Sequence, residues 1–497
     1  MLGIDLFLSF WDIQKFFDKE NLRDCMDSVH QAGVESKISN LWFMLNKKTQ
    51  IRVLTGLGVT EYKHMIGNEL VGQGTQGGAL ISGLNIDRGV NDYFENSNNE
   101  VCYGSVRLQP VLFQDDVVHM STSRMACQAA CSRMEAIMKS KQLLVHPSKS
   151  CIMISASKNN ISRIKSEIKN HPIIYDDFEM KVKNEAKYLG DWMSEGGNSS
   201  SACVTIGKRK GRAITAIHEI GAILQDIRLH AIGGLMCGLD IYNMAIIPTL
   251  LYNSEMFTEM SKDALGELEE IQRMMLSVLL AVPLSCPRPA LAWDTATMSM
   301  QNRIHERKLN LIVHIISLDE SALAKQIYME QRKHEWPGLS QEGKSLCREM
   351  YLPDITKETN FDAAEKRKWK RRIKEAVDKK NEKDLRESFD GYSKLDQLIG
   401  EEFDVKTYLK EMHMTDARMF FRMRTEMFNC KMNRSSDRQN RVALWQCSGC
   451  GNIDTQAHII WCPAYQDLRE GKSLNSNTDL VHYFKKVMQI RETLDLG

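Results

Sequence analysis

The feature that most constrains this chain is where three acidic residues stand relative to apolar strands. Residues 4–11 form an apolar run suited to a buried strand, and Asp12 follows at its end. Further on, residues 105–112 lead into Phe113-Gln114-Asp115-Asp116, and Val117-Val118-His119-Met120 is a second apolar strand. That pattern predicts a hairpin with two acids at its tip. If the two strands are neighbours in one sheet, the three carboxylates converge on one edge. Clustered carboxylates repel one another unless a divalent cation neutralises them, and hard oxygen ligands match Mg²⁺. Taken singly, the same residues also read as a polar hairpin turn and as an acid at the start of a helix.

Around this hairpin the pattern alternates between strand and helix. Leu22, Cys25, Met26 and Val29 recur at helical spacing, as do Ala126, Ala129, Ala130, Met134 and Ile137, and Cys151-Ile152-Met153-Ile154 is another strand. Beyond about residue 200 the strand-like runs cease and long helical patterns take over, such as Leu265, Leu268, Ile271, Met275 and Leu279. The expected organisation is an α+β region over 1–200, a helical region over 201–345, a charged helical spacer over 346–435 and a small C-terminal segment over 436–497. The chain carries 65 Lys+Arg against 64 Asp+Glu, which excludes a uniformly basic binder and leaves nucleic-acid contact to local clusters. Thirteen scattered cysteines point to a reducing compartment. The N-terminus lacks a basic segment and a small-residue cleavage site, so the expectation is an intracellular protein, nuclear or cytoplasmic and not secreted. Residues 231–252 approach membrane-spanning length, but Asp240, Asn243 and Pro248 interrupt them, which favours a buried helix plus loop and no membrane association.

The acids belong to an ordered series. Asp12-Ile13-Gln14-Lys15-Phe16-Phe17-Asp18, then Gly74-Thr75-Gln76-Gly77-Gly78, then Phe113-Gln114-Asp115-Asp116, Leu144-Val145-His146-Pro147-Ser148-Lys149 and Lys187-Tyr188-Leu189-Gly190 resemble, in order, five motifs of reverse transcriptases. The resemblance is closest to those of non-LTR (LINE-type) retrotransposons. It implies a right-hand polymerase palm, an antiparallel sheet with packed helices, followed by a helical thumb and a helical C-terminal region with a small zinc knuckle. It also implies an RNA-directed DNA polymerase that transfers nucleotides to a primer 3′-hydroxyl, with an RNA template, a DNA primer and deoxynucleoside triphosphates as partners. By the same resemblance, Asp12, Asp115 and Asp116 hold two Mg²⁺ ions and Phe17 excludes a ribose 2′-hydroxyl. Gln76 and Gly77 support the nascent base pair, Lys149 is a phosphate-facing or acid-catalytic cation, and Tyr188 and Gly190 belong to the primer-grip hairpin. For Phe17 plain core, for Gly77 an ordinary turn and for Lys149 a solvated strand edge remain alternatives.

Two departures stand out. The glutamine-glycine motif continues Leu80-Ile81-Ser82-Gly83 with the family's proline lost, and Gln114 precedes the acid pair where a small residue is common. Only eleven residues precede Asp12, so the fingers are expected to be missing and polymerase activity weak or nil.

Residues 246–255, with Tyr252 and Glu255, resemble the thumb-proximal segment of the same family. Lys208, Arg209, Lys210 and Arg212 place four cations in five positions, and residues 366–374 carry seven in nine with Trp369 among them. Such clusters neutralise phosphates and an aromatic ring stacks on an unpaired base, although charge runs are also common on solvated faces. Near the C-terminus, Cys447, Cys450, His458 and Cys462 follow the spacing Cys-x₂-Cys-x₇-His-x₃-Cys. Three thiolates and an imidazole suit one tetrahedral Zn²⁺, against the alternative of free buried thiols beside a core histidine. A similar knuckle recurs at the C-terminus of LINE-type polyproteins. Besides the polymerase, a non-catalytic RNA/DNA-binding relic of such a polyprotein and a metal-dependent nuclease using the same acids are the competing readings.

Overall fold

The computed structural model describes residues 5–14, 16–46, 50–51, 54–55, 58–61, 63–64, 77–94, 101–224, 232–258, 260–390, 392, 395, 398, 400–427, 446–469, 474 and 476–495. They form two units, one of Met1–Thr205 with Asp319–Trp336 and the other of Ile206–Leu318 with Pro337–Gly497.

The first unit is built on a four-stranded antiparallel sheet of β1 (Leu6–Asp12), β2 (Val111–Phe113), β3 (Asp116–Ser121) and β4 (Cys151–Ser155), in the order β4-β1-β3-β2. Side chains alternate between the faces of a strand. Phe7 and Trp11 of β1 and Val117 of β3 therefore share one face, buried with α2 (Gly78–Phe94), α3 (Arg124–Ser140) and α4 (Lys158–Asn170) once α1 (Leu22–Gln31) has covered the near side of α2. Leu8 and Phe10 of β1 and Val118 of β3 take the other face, where Ala186, Tyr188 and Met193 of the hairpin β5 (Glu185–Tyr188) and β6 (Asp191–Ser194) cover part of it. The run 105–112, expected as one arm of the acidic hairpin, is instead split: Val106–Leu108 pairs with Val101–Tyr103, and only Val111–Phe113 pairs with β3.

The segment 319–336 departs from the expected 201–345 helical region, because it packs within the first unit. Its helix Leu323–Lys333 lies on the hairpin Val101–Tyr103/Val106–Leu108. Glu330 accepts hydrogen bonds from the Ser105 N–H at 3.1 Å and the Ser105 hydroxyl at 2.9 Å, and the Tyr103 and Trp336 rings meet edge to face at 4.8 Å.

The second unit is helical. Its core gathers Ile217, Leu235, Leu239, Tyr242, Leu250, Leu268, Met275, Leu279, Trp293 and Phe421. The apolar stretch Gly234–Met256 is long and apolar enough to cross a membrane by length and composition, and half of that window is buried inside the protein. It runs as Gly234–Ile241, a π-helical turn Tyr242–Ile246 and Ile247–Leu251. Pro248 lies in the first turn of the last piece, where its missing N–H is tolerated. The expected solvated spacer is instead a packed helix, Ala363–Glu387. It opens with a capping box between Asp362 and Glu365 and buries Trp369, Ile373, Val377 and Asn381, four residues apart, on the helix Met300–Ile316.

Candidate functional site

Register and parity assemble the acidic edge. Asp12 pairs directly across the sheet with Asp116, as Trp11 does with Val117 and Phe10 with Val118. Both acids have the parity of Leu8, Phe10 and Val118, so they lie on the sheet face that carries the β5–β6 hairpin. A slip of one residue in this pairing would turn the set to the helix-covered side. Asp115 occupies the turn between Phe113 and Asp116, which pair across the hairpin, and its carbonyl accepts the Ile13 N–H at 3.3 Å. The preceding Gln114 takes a left-handed backbone, φ 57°, as tight two-residue hairpin turns require. The amide that stands where a small residue is common thus sits at the turn's left-handed position.

The loop before β4 is laced to the end of β1. His146 donates its N–H to the Asp12 carbonyl at 2.8 Å, Gln14 donates to Leu144 at 2.8 Å, and the Ser150 hydroxyl accepts the Asp12 N–H at 3.2 Å. This lacing carries Lys149 to Asp12, with Nζ 3.3 Å from Oδ1 and 3.4 Å from Oδ2. Burial, then the negative charges of Asp115 and Asp12, raise the Asp116 carboxyl above its ordinary value, against the opposing pull of Lys187 and Lys149. An acid that resists ionisation beside two others is the electrostatic condition that a divalent cation relieves.

The β5–β6 turn closes the site. Leu189 and Gly190 both adopt positive φ, 47° and 86°, to reverse the chain. Tyr188 packs edge to face on Phe10 at 6.1 Å, and its buried hydroxyl has no hydrogen-bond partner among the described residues. Burial and the nearby Asp116 push that phenol up to about 12. Asp12, Asp115, Asp116, Lys149, Tyr188 and Gly190 all line one cavity of about 540 Å³. Lys183 and Lys187 line it too; Lys187 opens the primer-grip-like motif without a role assigned to it, and Lys183 lies outside every motif. The signal for them was the lysine-rich run 181–187 leading into the Tyr188 strand.

Phe17 is half-buried, edge to face with Phe16 at 5.3 Å and packed against the helix-side core. At Gly77 a Cβ would stand 2.7 Å from Trp42 Nε1, so close packing requires glycine there. Gln76 lies outside the described residues.

The cation cluster at 208–212 divides. Lys208 and Arg212 are exposed, and Lys210 pairs with Glu267 at 3.5 Å. Arg209 contradicts the expectation of a phosphate-facing group. It is buried, donates to the carbonyls of Tyr252 at 2.6 Å and Leu250 at 3.3 Å, and lies over the Tyr252 ring. Trp369, expected as a stacking surface, is likewise buried, against Phe361.

The Cys/His set comes together as its spacing predicts. The ligand atoms of Cys447, Cys450, His458 and Cys462 all lie within 4.8 Å of one another. Cys447 and Cys462 sulfurs are 3.8 Å apart, Cys462 and Cys450 sulfurs 3.6 Å, and Cys450 Sγ is 3.2 Å from His458 Nε2. Tetrahedral zinc with bonds of about 2.3 Å to sulfur places two thiolates about 3.8 Å apart. The residues therefore fit one Zn²⁺. Cys450 and Gly451 donate their N–H groups back to the Cys447 carbonyl, Gly451 takes φ 74°, and a Cβ on Gly449 would stand 2.5 Å from that of Ala464.

No protein-family model matches the chain, and no curated protein matches it. Among solved structures, the chain is similar to telomerase from Candida albicans in complex with a fragment of telomeric RNA, at a TM-score of 0.31 and 13% identity, over 82% of this chain and 52% of that one. The chain thus spans about half the length of that protein.

Proposed function

We propose that the chain carries the palm of an RNA-directed DNA polymerase of the non-LTR retrotransposon kind. The observation that carries this reading is the register of Asp12 opposite Asp116, with Asp115 in the adjoining turn and Lys149 on Asp12, in one cavity with Tyr188. Asp12, Asp115 and Asp116 are the residues that would hold Mg²⁺, two ions in all. Bound there, Mg²⁺ would lower the pKa of an attacking hydroxyl and stabilise the charge developing on the leaving oxygens.

The chain's own groups do the rest. The three carboxylates concentrate negative charge where the cations are needed, and the cost of that crowding falls on Asp116. Lys149, exposed at its tip, offers an ammonium proton to a departing phosphate oxygen. Tyr188 and the Leu189-Gly190 turn hold the primer end over the acids, Phe17 discriminates against a 2′-hydroxyl, and Gln76 and Gly77 back the nascent base pair on the RNA template. Exposed Lys208 and Arg212 contact phosphates, and the Cys/His knuckle adds a nucleic-acid contact.

The test is primer extension on an RNA template with Mg²⁺ and deoxynucleotides. Slow incorporation that disappears in Asp115→Ala is expected. Tight RNA/DNA binding without any extension favours the non-catalytic relic instead, and strand cleavage by the same acids favours a nuclease. Extension undiminished in Asp115→Ala sinks the assignment.

A further inference from the structure

A second concave surface, remote in sequence from the acidic edge, carries cations and one bare aromatic ring. It is a cavity of about 730 Å³ between the helices Leu339–Glu349 and Ala363–Glu387 of the second unit. Arg348, Arg372, Lys379 and Lys383 stand on its walls, all exposed. Its two acids are already engaged, Glu349 by Lys380 at 3.3 Å and Glu375 by Arg371 at 3.8 Å. Among the described residues, no carboxylate lies within ion-pair reach of Arg348, Arg372 or Lys379.

Position along the helix gives the cations a direction. Arg372, Lys379 and Lys383 fall on one helical stripe, seven and then four residues apart, or roughly 10 and 6 Å along the axis. Between the two helices sits Tyr351. It is 88% exposed and holds a left-handed backbone, φ 55°, at the position after a helix end that glycine usually takes. Its neighbours explain the turn: the Leu352 N–H returns to the Cys347 carbonyl at 2.8 Å, and Met350 is buried. The Tyr351 ring itself contributes nothing to that packing. A strained position occupied by a large exposed ring points to a role outside folding.

We infer that this groove binds single-stranded nucleic acid, with Arg348, Arg372, Lys379 and Lys383 along the phosphates and the Tyr351 ring stacked on a base. A row of cations with an aromatic platform is the combination that single strands select, because a duplex keeps its bases stacked on each other and an acidic peptide gains nothing from the ring. The groove belongs to the second unit, takes only Arg372 from the 366–374 cluster, and makes no use of the buried Trp369. It does not depend on the polymerase reading, since it concerns binding alone.

The test uses the full chain and fluorescein-labelled 20-nucleotide oligomers of RNA and of DNA, titrated at several salt concentrations. A 4-thiouridine RNA probe, crosslinked and mapped by mass spectrometry, locates the contact. Tyr351→Gly relieves the backbone, so its melting temperature should match or exceed that of the wild type, while single-strand affinity falls by about fivefold to a hundredfold. Lys379→Ala with Lys383→Ala should lower the slope of log affinity against log salt by about 1.4. The crosslink is expected at or beside Tyr351, and comparison of the RNA and DNA arms assigns the strand type. Wild-type affinity and crosslinking in Tyr351→Gly overturn the proposal. So does displacement of the oligomer by polyglutamate as readily as by unlabelled oligomer, which would make the groove a protein-docking surface. Equal losses for duplex and single strand overturn the stacking claim.

Discussion

Stripping metal from the Cys/His cluster should unfold the C-terminal segment as one piece. Cys447 and Cys462 are members of the small core they share with Ile459, Tyr465, Tyr483, Phe484 and Val487, so the ligands and the apolar contacts stand or fall together. The C-terminal helix Asn477–Asp495 supplies three of those residues, and its Arg491 forms a buried ion pair with Asp454 in the knuckle. Structural zinc contributes about 10–16 kcal/mol in zinc-finger peptides, comparable with the whole stability of a typical domain at about 5–15 kcal/mol. With less than half of that coupled to this segment, about 4 kcal/mol is lost, which is about a thousandfold in local opening. The assay is native-state amide hydrogen exchange before and after chelation, with the released metal counted by a colorimetric indicator. One zinc per chain should appear, and exchange across Gln456–Trp461 and Asn477–Asp495 should accelerate by about that factor. The strands Leu6–Asp12 and Asp116–Ser121 provide the internal control, and Cys462→Ser should reproduce the effect without chelator. A purified chain that carries no zinc, or exchange across Asn477–Asp495 that ignores chelation, refutes the reasoning.

Two further outcomes are expected. Glu20 is buried beside Asn85, which donates to it at 3.1 Å, and burial raises its carboxyl above the ordinary value despite the hydrogen bonds around it. The folded state therefore holds that proton more tightly than the unfolded chain. Stability is greatest below the unfolded value of about 4.3 and falls as pH rises through the folded one. Glu20→Gln should remove this slope and raise stability at neutral pH, as read by urea titrations across pH, and an unchanged slope contradicts the assignment. Arg209→Ala should cost about 2–3 kcal/mol in urea unfolding, because two carbonyls lose a charged donor, while the salt dependence of nucleic-acid binding stays as it was. A drop of about 0.7 in the single-strand slope would instead restore Arg209 to the phosphate-binding set.

Much of the acidic edge was legible because strand period and a single cross-strand register suffice to bring Asp12 to Asp116. The Cys/His cluster was legible because all four residues lie within sixteen positions, where spacing nearly dictates proximity. What escaped depends on partners distant in the chain. Arg209 reads as one cation among four, and only the carbonyls of Leu250 and Tyr252, some forty residues away, turn it inward. The 366–374 run looks solvated by composition, yet Trp369 and Ile373 pack on the much earlier helix Met300–Ile316. The Tyr351 groove needs two helices side by side, a relation that periodicity within either one does not contain.

The return of residues 319–336 to the first unit has a consequence for synthesis. Ser105 finds its partner Glu330 225 residues later, so the hairpin that leads into the acidic turn is completed only after much of the helical unit has been translated. At about 5–20 residues per second, the stretch from residue 205 to residue 336 takes roughly 7 to 26 s on the ribosome. During that interval the sheet and its acids exist without the helix that seats their neighbouring hairpin. A chain cut after residue 205 would remain permanently in that unfinished state, so the smallest piece expected to reproduce the first unit extends to Trp336.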